Sequence, residues 1–401
     1  MKPRVLFTTP VLEHPPAGGP ALRIENSIKA LHQIAELHLI SRVPGTHLGD
    51  EAFYRSLSHA FSYAPSARLS EQRVIRSMQH LVRRVSPPDD ARAIVESMHR
   101  HSIGILWAGY GNISYELMRR IKQLDPKIEI VCDTDSVWSR YILRGLPYET
   151  SPARRRRIEE DGKQKEEEER AWVNLCDVTT AVSDVDAEYY RSLAREPGRV
   201  MQFSNVIDLD SYADVPPPPA AHRTPNLYLA GTFGSRSPME HAARWVADEV
   251  FPRVLREIPE LHWYIAGAYS DATLSDLQGP HITVTGKLPS VLPYLSHATV
   301  ALVPLFFESG TRFKILEAAA CGIPIVSTSL GAEGLPLRHE EHLLLADTPE
   351  AFAQAIIRVV RDRGFATTMA AACRAYVQQN CAIPQLVREG EAILSMLNAP
   401  R

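Results

Sequence analysis

The chain has 401 residues, of which 45% are hydrophobic and 23% are charged, and its formal net charge is −3. This length is enough for two domains, and the composition is ordinary for a soluble globular protein. The near balance of charge gives no overall attraction to nucleic acid, and no apolar run approaches the ~20 residues that span a bilayer.

The N-terminal stretch predicts a Rossmann-like opening. Arg4–Thr9 has the composition of a buried strand, and the loop that follows it contains Gly18 and Gly19. A helix with apolar residues on one face comes next, and residues 37–40 return as a second strand. The loop lacks the G-x-G-x-x-G pattern, so we expect no dinucleotide cofactor. One interpretation of the two glycines is simply a turn that needs their backbone freedom.

Two features bear on where the protein is located. Residues 66–85 predict an amphipathic helix with a basic edge, which either lies on an anionic membrane surface or, more commonly, forms a core face with a solvated side. The five cysteines have neither paired nor metal-ligand spacing, which favours a reduced compartment. We therefore expect a cytoplasmic protein, and peripheral contact with the inner face of the membrane stays open.

A proline cluster at residues 216–219 divides the chain, because such a run forms a semi-rigid connector. We predict an N-terminal Rossmann-like domain at residues 1–212, a linker at 213–225 and a C-terminal Rossmann-like domain at 226–364. The second half restarts with a strand at residues 227–230. The predicted fold class is therefore α/β with two domains of the same architecture.

The stretch from residue 299 to residue 328 predicts one βαβ unit. Residues 299–307 form an apolar, strand-like run, residues 308–312 form a loop, and residues 313–321 are good helix formers. A second short strand follows at residues 325–328. The loop lies at the carboxyl end of a strand, which is where open α/β sheets bind ligands.

The residues of this loop favour an anion site. Gly310 permits close backbone approach, and the N–H groups of the helix start attract anions. Arg312 and Lys314 add two cations, and Glu317 shares a helix face with Lys314. A carboxylate beside a phosphate is favourable only where it accepts hydrogen bonds, which ribose hydroxyls donate. We therefore expect a nucleoside diphosphate to bind here, and a solvated Lys–Glu pair on an ordinary helix is the alternative.

The same segment resembles a known motif. Residues 310–318, GTRFKILEA, resemble the donor-binding motif of GT-B-fold glycosyltransferases of family 4 in its G-T-R-x-K-x-x-E-A variant, and the continuation CGIPIVSTSLGAEGL is also typical of that family. The resemblance implies two Rossmann-like domains that face each other across a cleft, with residues 365–401 as terminal helices that cross back to the first domain. It also implies that Arg312 and Lys314 hold the diphosphate and that Glu317 holds the ribose. The common form of the motif has a further glutamate, where this chain has Ser309.

The resemblance extends to residues outside the motif. It implies that the glycine loop of the first half lines the cleft near the donor phosphates and the acceptor, and that Gly286-Lys287 holds the base through backbone groups. In the loop after the strand at residues 227–230, Arg236 is the only nearby cation. The donor-binding residues expected from the family are Gly18, Gly19, Gly231, Arg236, Gly286, Lys287, Ser309, Gly310, Thr311, Arg312, Lys314 and Glu317.

The triplet Asp133-Thr134-Asp135 allows several interpretations. Family members often place a histidine that contacts the donor sugar near this point, and Asp135 holds the best-matching position here. The triplet also has the D-x-D form that binds Mn²⁺ in the unrelated GT-A glycosyltransferases. We favour a cleft-lining, catalytic role for Asp135 over metal binding, because the phosphate site already carries cations. A third alternative is that neither aspartate is functional.

The resemblance implies a retaining glycosyltransferase of the hexosyltransferase type that acts in polysaccharide biosynthesis. It would move a sugar from a nucleoside-diphosphate sugar to a hydroxyl of a glycan, a lipid-linked acceptor or a small molecule, with Asp135, Arg312 and Lys314 as catalytic residues. No metal or other cofactor is expected to be required, and no nucleic acid is expected as a partner. Two alternatives stay open, namely a sugar-nucleotide epimerase and a non-catalytic binding or scaffold protein of the same fold.

Overall fold

The structure is a computed structural model that describes residues 2–69, 88–310 and 312–397. Its described residues separate into two compact units. The first unit contains the chain up to Val206 together with the segment from Ile383 onward, and the second unit is Ile207–Ala382.

Both units are built from parallel strands and helices. The strands are β1 Arg4–Thr9, β2 Glu36–Ser41, β3 Ala60–Tyr63, β4 Ile105–Gly109, β5 Glu129–Asp133, β6 Val178–Ala181, β7 Val200–Gln202, β8 Asn226–Ala230, β9 His262–Ala266, β10 Ile282–Val284, β11 Val300–Val303, β12 Ile325–Ser327 and β13 Leu344–Leu345. The α-helices are α1 Gly19–Ile34, α2 Glu51–Ser56, α3 Pro65–Leu69, α4 Pro88–Arg100, α5 Tyr115–Leu124, α6 Trp138–Arg144, α7 Pro152–Val173, α8 Asp184–Leu193, α9 Pro238–Trp245, α10 Phe251–Glu257, α11 Ser270–Thr273, α12 Leu292–Leu295, α13 Phe313–Ala320, α14 Pro349–Arg361, α15 Arg363–Asn380 and α16 Ile383–Leu397.

The first unit has a parallel sheet in the order β3-β2-β1-β4-β5-β6-β7 across its described residues. Strand β1 pairs with β2 and β4, so it lies inside the sheet. Successive residues of β1 point to opposite faces, which places Leu6 in one hydrophobic core and Phe7 in the other. Both faces are covered, which explains why this strand is an unbroken apolar run rather than an alternating one.

Helix α16 completes the first unit although it comes last in the chain. It packs on α1, and a Cβ added at Gly390 would come within 2.8 Å of Ile34 Cδ1. The apolar residues of α16 belong to the same core as Phe7 and Phe203. Glu389 accepts hydrogen bonds from the backbone N–H (2.7 Å) and the hydroxyl (2.8 Å) of Ser204.

The second unit has a parallel sheet in the order β10-β9-β8-β11-β12-β13. Strand β8 pairs with β9 and β11. The carboxyl ends of these strands therefore meet at one edge, and the loops that leave them lie close together. Trp263 and Leu302 are among the buried side chains of this sheet.

The α/β class with two Rossmann-like units, predicted from the sequence, is confirmed. The central prediction at residues 299–307 was too long, because β11 ends at Val303. Pro304 follows and has no N–H to donate to a neighbouring strand. The helix expected after the loop is present as α13.

The division into units falls at different residues from the predicted domain ranges. The chain passes from the first unit to the second after Val206, ahead of the predicted linker at 213–225. Helix α15 groups with the second unit, and only the segment from Ile383 groups with the first. The predicted amphipathic helix at 66–85 lies outside the described residues apart from its first few positions. In the described part of the chain, no helix combines the length and the apolar character that crossing a bilayer requires.

Candidate functional site

The loop between β11 and α13 holds four of the twelve predicted donor-binding residues. Gly310 has φ +79°, a backbone conformation that favours glycine, and both Ser309 and Gly310 are buried. Arg312 occupies the N-cap position of α13, and no side chain within the described residues caps this helix start. Thr311, also predicted to bind the donor, lies outside the described residues.

Arg312 is directed toward its own loop. Its side chain is 5% exposed, and its guanidinium donates hydrogen bonds to the backbone oxygen of Ser309 (2.8 Å) and to that of Gly310. These contacts fix the carbonyl groups of the loop, so the first effect of Arg312 is to hold the shape of the loop. The contact between Arg312 and a diphosphate stays a prediction.

Lys314 and Glu317 line one small pocket of the second unit. Both are half-buried on α13, and the rest of the wall comes from β8, β11 and α12. Its other lining residues are Tyr228, Ala230, Leu295, Ala301, Leu302 and Val303. Of the predicted donor residues in the described chain, these two line the pocket and the others do not. The pocket thus combines a mostly apolar wall with one ammonium and one carboxylate group.

Tyr212 is a further residue at this pocket that the sequence did not reveal. Its hydroxyl donates a hydrogen bond to Glu317 Oε1 (3.1 Å), and it lies at the end of a short 3₁₀ turn, Leu209–Tyr212. Asp208 caps this turn by accepting a hydrogen bond from the N–H of Asp210 (3.3 Å). Tyr212 belongs to no motif or periodic pattern in the sequence, so sequence reasoning did not select it.

The charges at the pocket are shifted by their surroundings. Burial raises the pKa of Glu317, and the Tyr212 hydrogen bond and the Lys314 charge oppose that shift. Burial lowers the pKa of Lys314, and the charges of Glu308 and Glu317 oppose it. Perturbed groups that line a pocket are typical of functional sites, since interactions between charges are strong where water is excluded.

The loops after β8 and β9 approach each other closely. The N–H of Gly231 donates to Ala266 O (3.1 Å), and the N–H of Gly267 donates to Gly286 O (3.0 Å). A Cβ at Gly267 would stand 2.1 Å from Gly231 O, so glycine is required there. Sequence reasoning selected Gly231 and Gly286 but missed Gly267, because the requirement arises from a neighbouring loop.

The two cations predicted from these loops lie at the surface. Arg236 and Lys287 are both exposed. The backbone N–H of Arg236 donates to the Glu240 carboxylate, which fixes the backbone of the loop and leaves the Arg236 side chain in solvent. Their predicted contacts with a donor stay predictions.

In the first unit, Asp135 follows β5 and is held by two donors. Its Oδ1 accepts hydrogen bonds from Asn112 Nδ2 (2.7 Å) and Trp138 Nε1 (3.2 Å). Burial raises the pKa of Asp135, and the Asn112 hydrogen bond and the Arg23 charge oppose that shift. Asn112 is held in turn by Lys165, whose Nζ donates to its backbone oxygen (3.1 Å). Asp135 is half-buried, so its carboxylate is oriented and still reachable.

Asp133 belongs to a different network from Asp135. It is fully buried and forms an ion pair with Arg23, which is 2% exposed. Its carboxylate also accepts hydrogen bonds from Thr180 Oγ1 (3.0 Å) and Trp107 Nε1 (3.2 Å). Both oxygens of Asp133 therefore already accept hydrogen bonds, and the buried Arg23 guanidinium already balances its charge. This geometry favours the interpretation of the triplet without a metal.

The predicted glycine loop leads into α1. Gly18 is exposed at the N-cap position, where its backbone oxygen accepts a hydrogen bond from the N–H of Leu22 (3.1 Å), and Gly19 is the first residue of the helix. Arg23 lies one turn further along the same helix. Its guanidinium also donates to Asn205 Oδ1 (2.7 Å), so this buried cation ties α1 to the end of the sheet.

Comparisons with known proteins agree with this architecture. Residues 225–362, within the second unit, match the model of a family described as "Glycosyl transferases group 1". An uncharacterised 44.6 kDa protein from the cps region of Klebsiella pneumoniae is 24% identical over 145 residues. That match covers 34% of this chain and 37% of the Klebsiella protein, which is little more than a third of its length.

Several solved structures resemble almost the whole chain. Sucrose-phosphate synthase from Thermosynechococcus elongatus has a TM-score of 0.73 at 17% identity, and HepE from Anabaena, solved in complex with UDP-glucose, has a TM-score of 0.67 at 12% identity. Each comparison covers 98% of this chain and 99% of the other. At these identities the likeness shows the fold, which is the two-domain GT-B fold of these glycosyltransferases.

Proposed function

We propose that this protein is a retaining glycosyltransferase of family 4 that moves a hexose from a nucleoside-diphosphate sugar to a hydroxyl group of an acceptor. The observation that carries the proposal is the small pocket on which Lys314 and Glu317 converge, which is also lined by residues of β8 and β11 of the second sheet. It lies within the segment that matches the glycosyltransferase family model. The likeness to HepE, which was solved with UDP-glucose, supports a nucleotide sugar as the donor.

The chemistry of the pocket suits a diphosphate leaving group. When the bond between the anomeric carbon and the β-phosphate oxygen breaks, negative charge develops on the diphosphate. The Lys314 ammonium and the N–H groups at the start of α13 stabilise that charge, and Arg312 holds the loop that positions it. The departing phosphate then takes the proton of the acceptor hydroxyl. Glu317 accepts hydrogen bonds from the ribose, which gives the carboxylate a favourable place beside an anion.

Asp135 is proposed to act on the sugar or the acceptor. Asn112 and Trp138 fix its carboxylate, so it presents an oriented acceptor for hydroxyl groups. On this proposal the Asp135→Asn substitution lowers turnover more than donor affinity. Gly18 and Gly19, at the start of α1, are assigned to the acceptor and phosphate side.

The acceptor is proposed to be a carbohydrate or a lipid-linked carbohydrate, with a place in polysaccharide biosynthesis. The match to a Klebsiella protein from a cps region supports that context. Peripheral attachment to the inner face of the membrane through residues 66–85 is part of this proposal, and those residues lie largely outside the described chain.

The proposal is tested by offering the protein a panel of nucleoside-diphosphate sugars. A donor that binds the folded protein raises its unfolding temperature, which identifies the sugar and the base. That donor is then incubated with candidate acceptors, and release of the nucleoside diphosphate with formation of a glycoside is expected. Conversion of the donor to its epimer would instead indicate an epimerase, and binding without any turnover would indicate a scaffold protein.

Glu317→Ala is expected to weaken the binding of UDP or GDP by one to two orders of magnitude. The substitution removes hydrogen bonds to a charged acceptor, which are worth about 1.5–3 kcal/mol. Pyrophosphate affinity should change little, because the ribose is the proposed partner of Glu317. Calorimetric titration of both ligands measures the difference. Glu257→Ala, which changes an exposed glutamate of the same unit, is the matched control, and equal nucleotide affinity in the two variants would refute the assignment.

Transfer is expected to continue in excess EDTA. The diphosphate is proposed to lie against Lys314 and a helix N-terminus, so its charge is balanced without a divalent cation. The measurement is the initial rate of transfer with the identified donor, before and after chelation. A rate that is lost in EDTA and restored by Mn²⁺ would contradict this and would return Asp135 to consideration as a metal ligand.

A further inference from the structure

A cluster of histidine and glutamate side chains lies at the edge of the first sheet where the strands begin. Glu36 and His38 are the first and third residues of β2, and His59 immediately precedes β3. One ligand atom from each of these three residues lies within 4.8 Å of those of the other two. Asp135 lies beyond the carboxyl end of β5, which in a parallel sheet is the opposite edge.

The three residues differ in their access to solvent. His38 is 3% exposed, the Glu36 side chain is 34% exposed, and His59 is exposed. His101 lies four residues before β4, and the centroid of its ring is 4.7 Å from that of the His38 ring. The cluster therefore has a fixed inner imidazole, two groups that can rotate, and an open side through which an ion and a water molecule can enter.

The ligand atoms of the cluster suit a cation. Metal ions in proteins bind carboxylate oxygens and imidazole nitrogens, and the cluster offers one carboxylate and two imidazoles whose ligand atoms lie within 4.8 Å of one another.

We propose that Glu36, His38 and His59 form a binding site for a divalent transition-metal ion, with Zn²⁺ the best match to two imidazoles and one carboxylate. Zinc takes such nitrogen and oxygen ligands at about 2.0–2.2 Å and completes a tetrahedron with a fourth ligand. The ligand atoms lie up to 4.8 Å apart, so they must move closer together by an ångström or more to reach one zinc ion. Rotation of the His59 and Glu36 side chains provides this movement. Water or His101 takes the fourth position.

One neighbouring charge opposes the ion. Arg4 Nε lies 3.1 Å from Glu36 Oε1, and the Arg4 side chain is 47% exposed. The guanidinium and the metal ion therefore compete for the same carboxylate, and Arg4 can withdraw into solvent when the ion binds. This competition gives the site a signature that a purely structural histidine cluster would lack.

The site would act on the stability of the first unit rather than on transfer. Its ligands come from β2 and from the segment before β3, so a bound ion would tie these neighbouring strands together at their starts. The predicted persistence of transfer in EDTA concerns Lys314 of the second unit and Asp135 at the opposite edge of this sheet. If the zinc site is refuted, the proposed transferase function is unaffected, and if the transferase function is refuted, the zinc site is unaffected.

The test is a calorimetric titration of the full-length chain, without a histidine tag, with ZnCl₂ at pH 7.5. One equivalent of Zn²⁺ is expected to bind. His59→Ala, at an exposed position, should weaken the affinity by at least the 10–100-fold that loss of an outer-shell partner typically costs. His47→Ala, another exposed histidine of the same unit, is the matched control and should bind as the wild type does.

Arg4→Gln provides the second arm of the test. Removal of the competing cation should tighten zinc binding severalfold, whereas His59→Ala loosens it. The proposal is overturned if the wild-type protein shows no saturable binding, or if His59→Ala and His47→Ala bind zinc equally well. Weaker binding in Arg4→Gln would also overturn it, since the guanidinium would then be supporting the site instead of competing with the ion.

Discussion

Lys314→Ala is expected to lower the turnover of sugar transfer by about 10²–10³-fold, the usual effect of removing one preorganised group that stabilises developing negative charge. The ammonium lines the pocket beside Glu317, where water is largely excluded and its charge acts strongly. Turnover with the identified donor measures the effect. Affinity for the intact donor should fall much less, because most of the negative charge appears only as the glycosidic bond breaks.

The pH dependence of transfer supplies a control for the same residue. Burial lowers the pKa of Lys314, so its positive charge, and the activity, should be lost on the alkaline side at a lower pH than for an exposed lysine. Lys314→Arg keeps a charge that does not titrate in this range, and should move the alkaline limb upward while it retains part of the activity. An alkaline limb that is identical in the wild type and in Lys314→Arg would show that another group limits the reaction.

Asp133→Asn is expected to lower the free energy of unfolding by about 3–5 kcal/mol, because it leaves the buried Arg23 without its counter-charge. Arg23 is 2% exposed and is held among Asp133, Asn205 and the backbone oxygen of Phe203, just after β7, so water cannot replace the lost carboxylate. Urea unfolding followed by circular dichroism measures the loss. The effect should appear in the first unit, since all of these partners belong to it.

Two further variants separate a lost ion pair from general damage. Arg23→Met combined with Asp133→Leu should cost less than Asp133→Asn alone, because no buried charge is left unpaired. Arg253→Ala removes a half-buried partner of the exposed Glu350 (2.9 Å) and should change stability by no more than about 1 kcal/mol. If Asp133→Asn were as mild as Arg253→Ala, the ion pair would not have the structural role described above.

The part of the site that could be predicted from the sequence is the part set by local geometry. Lys314 and Glu317 are three residues apart on one helix, so their shared face follows from helical spacing and holds in the structure. The α/β class likewise follows from short-range pattern. The hydrogen bonds of the Arg312 guanidinium could not be predicted from the sequence, because its carbonyl partners depend on the path of the loop around Gly310.

The residues that sequence reasoning missed depend on contacts between distant parts of the chain. Tyr212 reaches Glu317 across 105 positions, and Arg23 reaches Asp133 across 110. Asn112, which lies in the turn after β4, orients Asp135. A single sequence carries no periodic or motif signal for such pairs. Arg23 is the hardest case, since a charged residue on a helix is ordinarily expected to face water.

The return of α16 to the first unit has a consequence for how the chain is made. Leu386, Ile393 and Leu394 of α16 complete a core that is otherwise built from residues before Val206. During synthesis on the ribosome, the whole of Ile207–Ala382 must emerge before that helix exists, which takes on the order of ten seconds or more. For that time the nascent first unit carries an uncovered apolar face along α1, a surface of the kind that chaperones bind. The second unit has no such delay, because its strands and helices leave the ribosome as one continuous stretch.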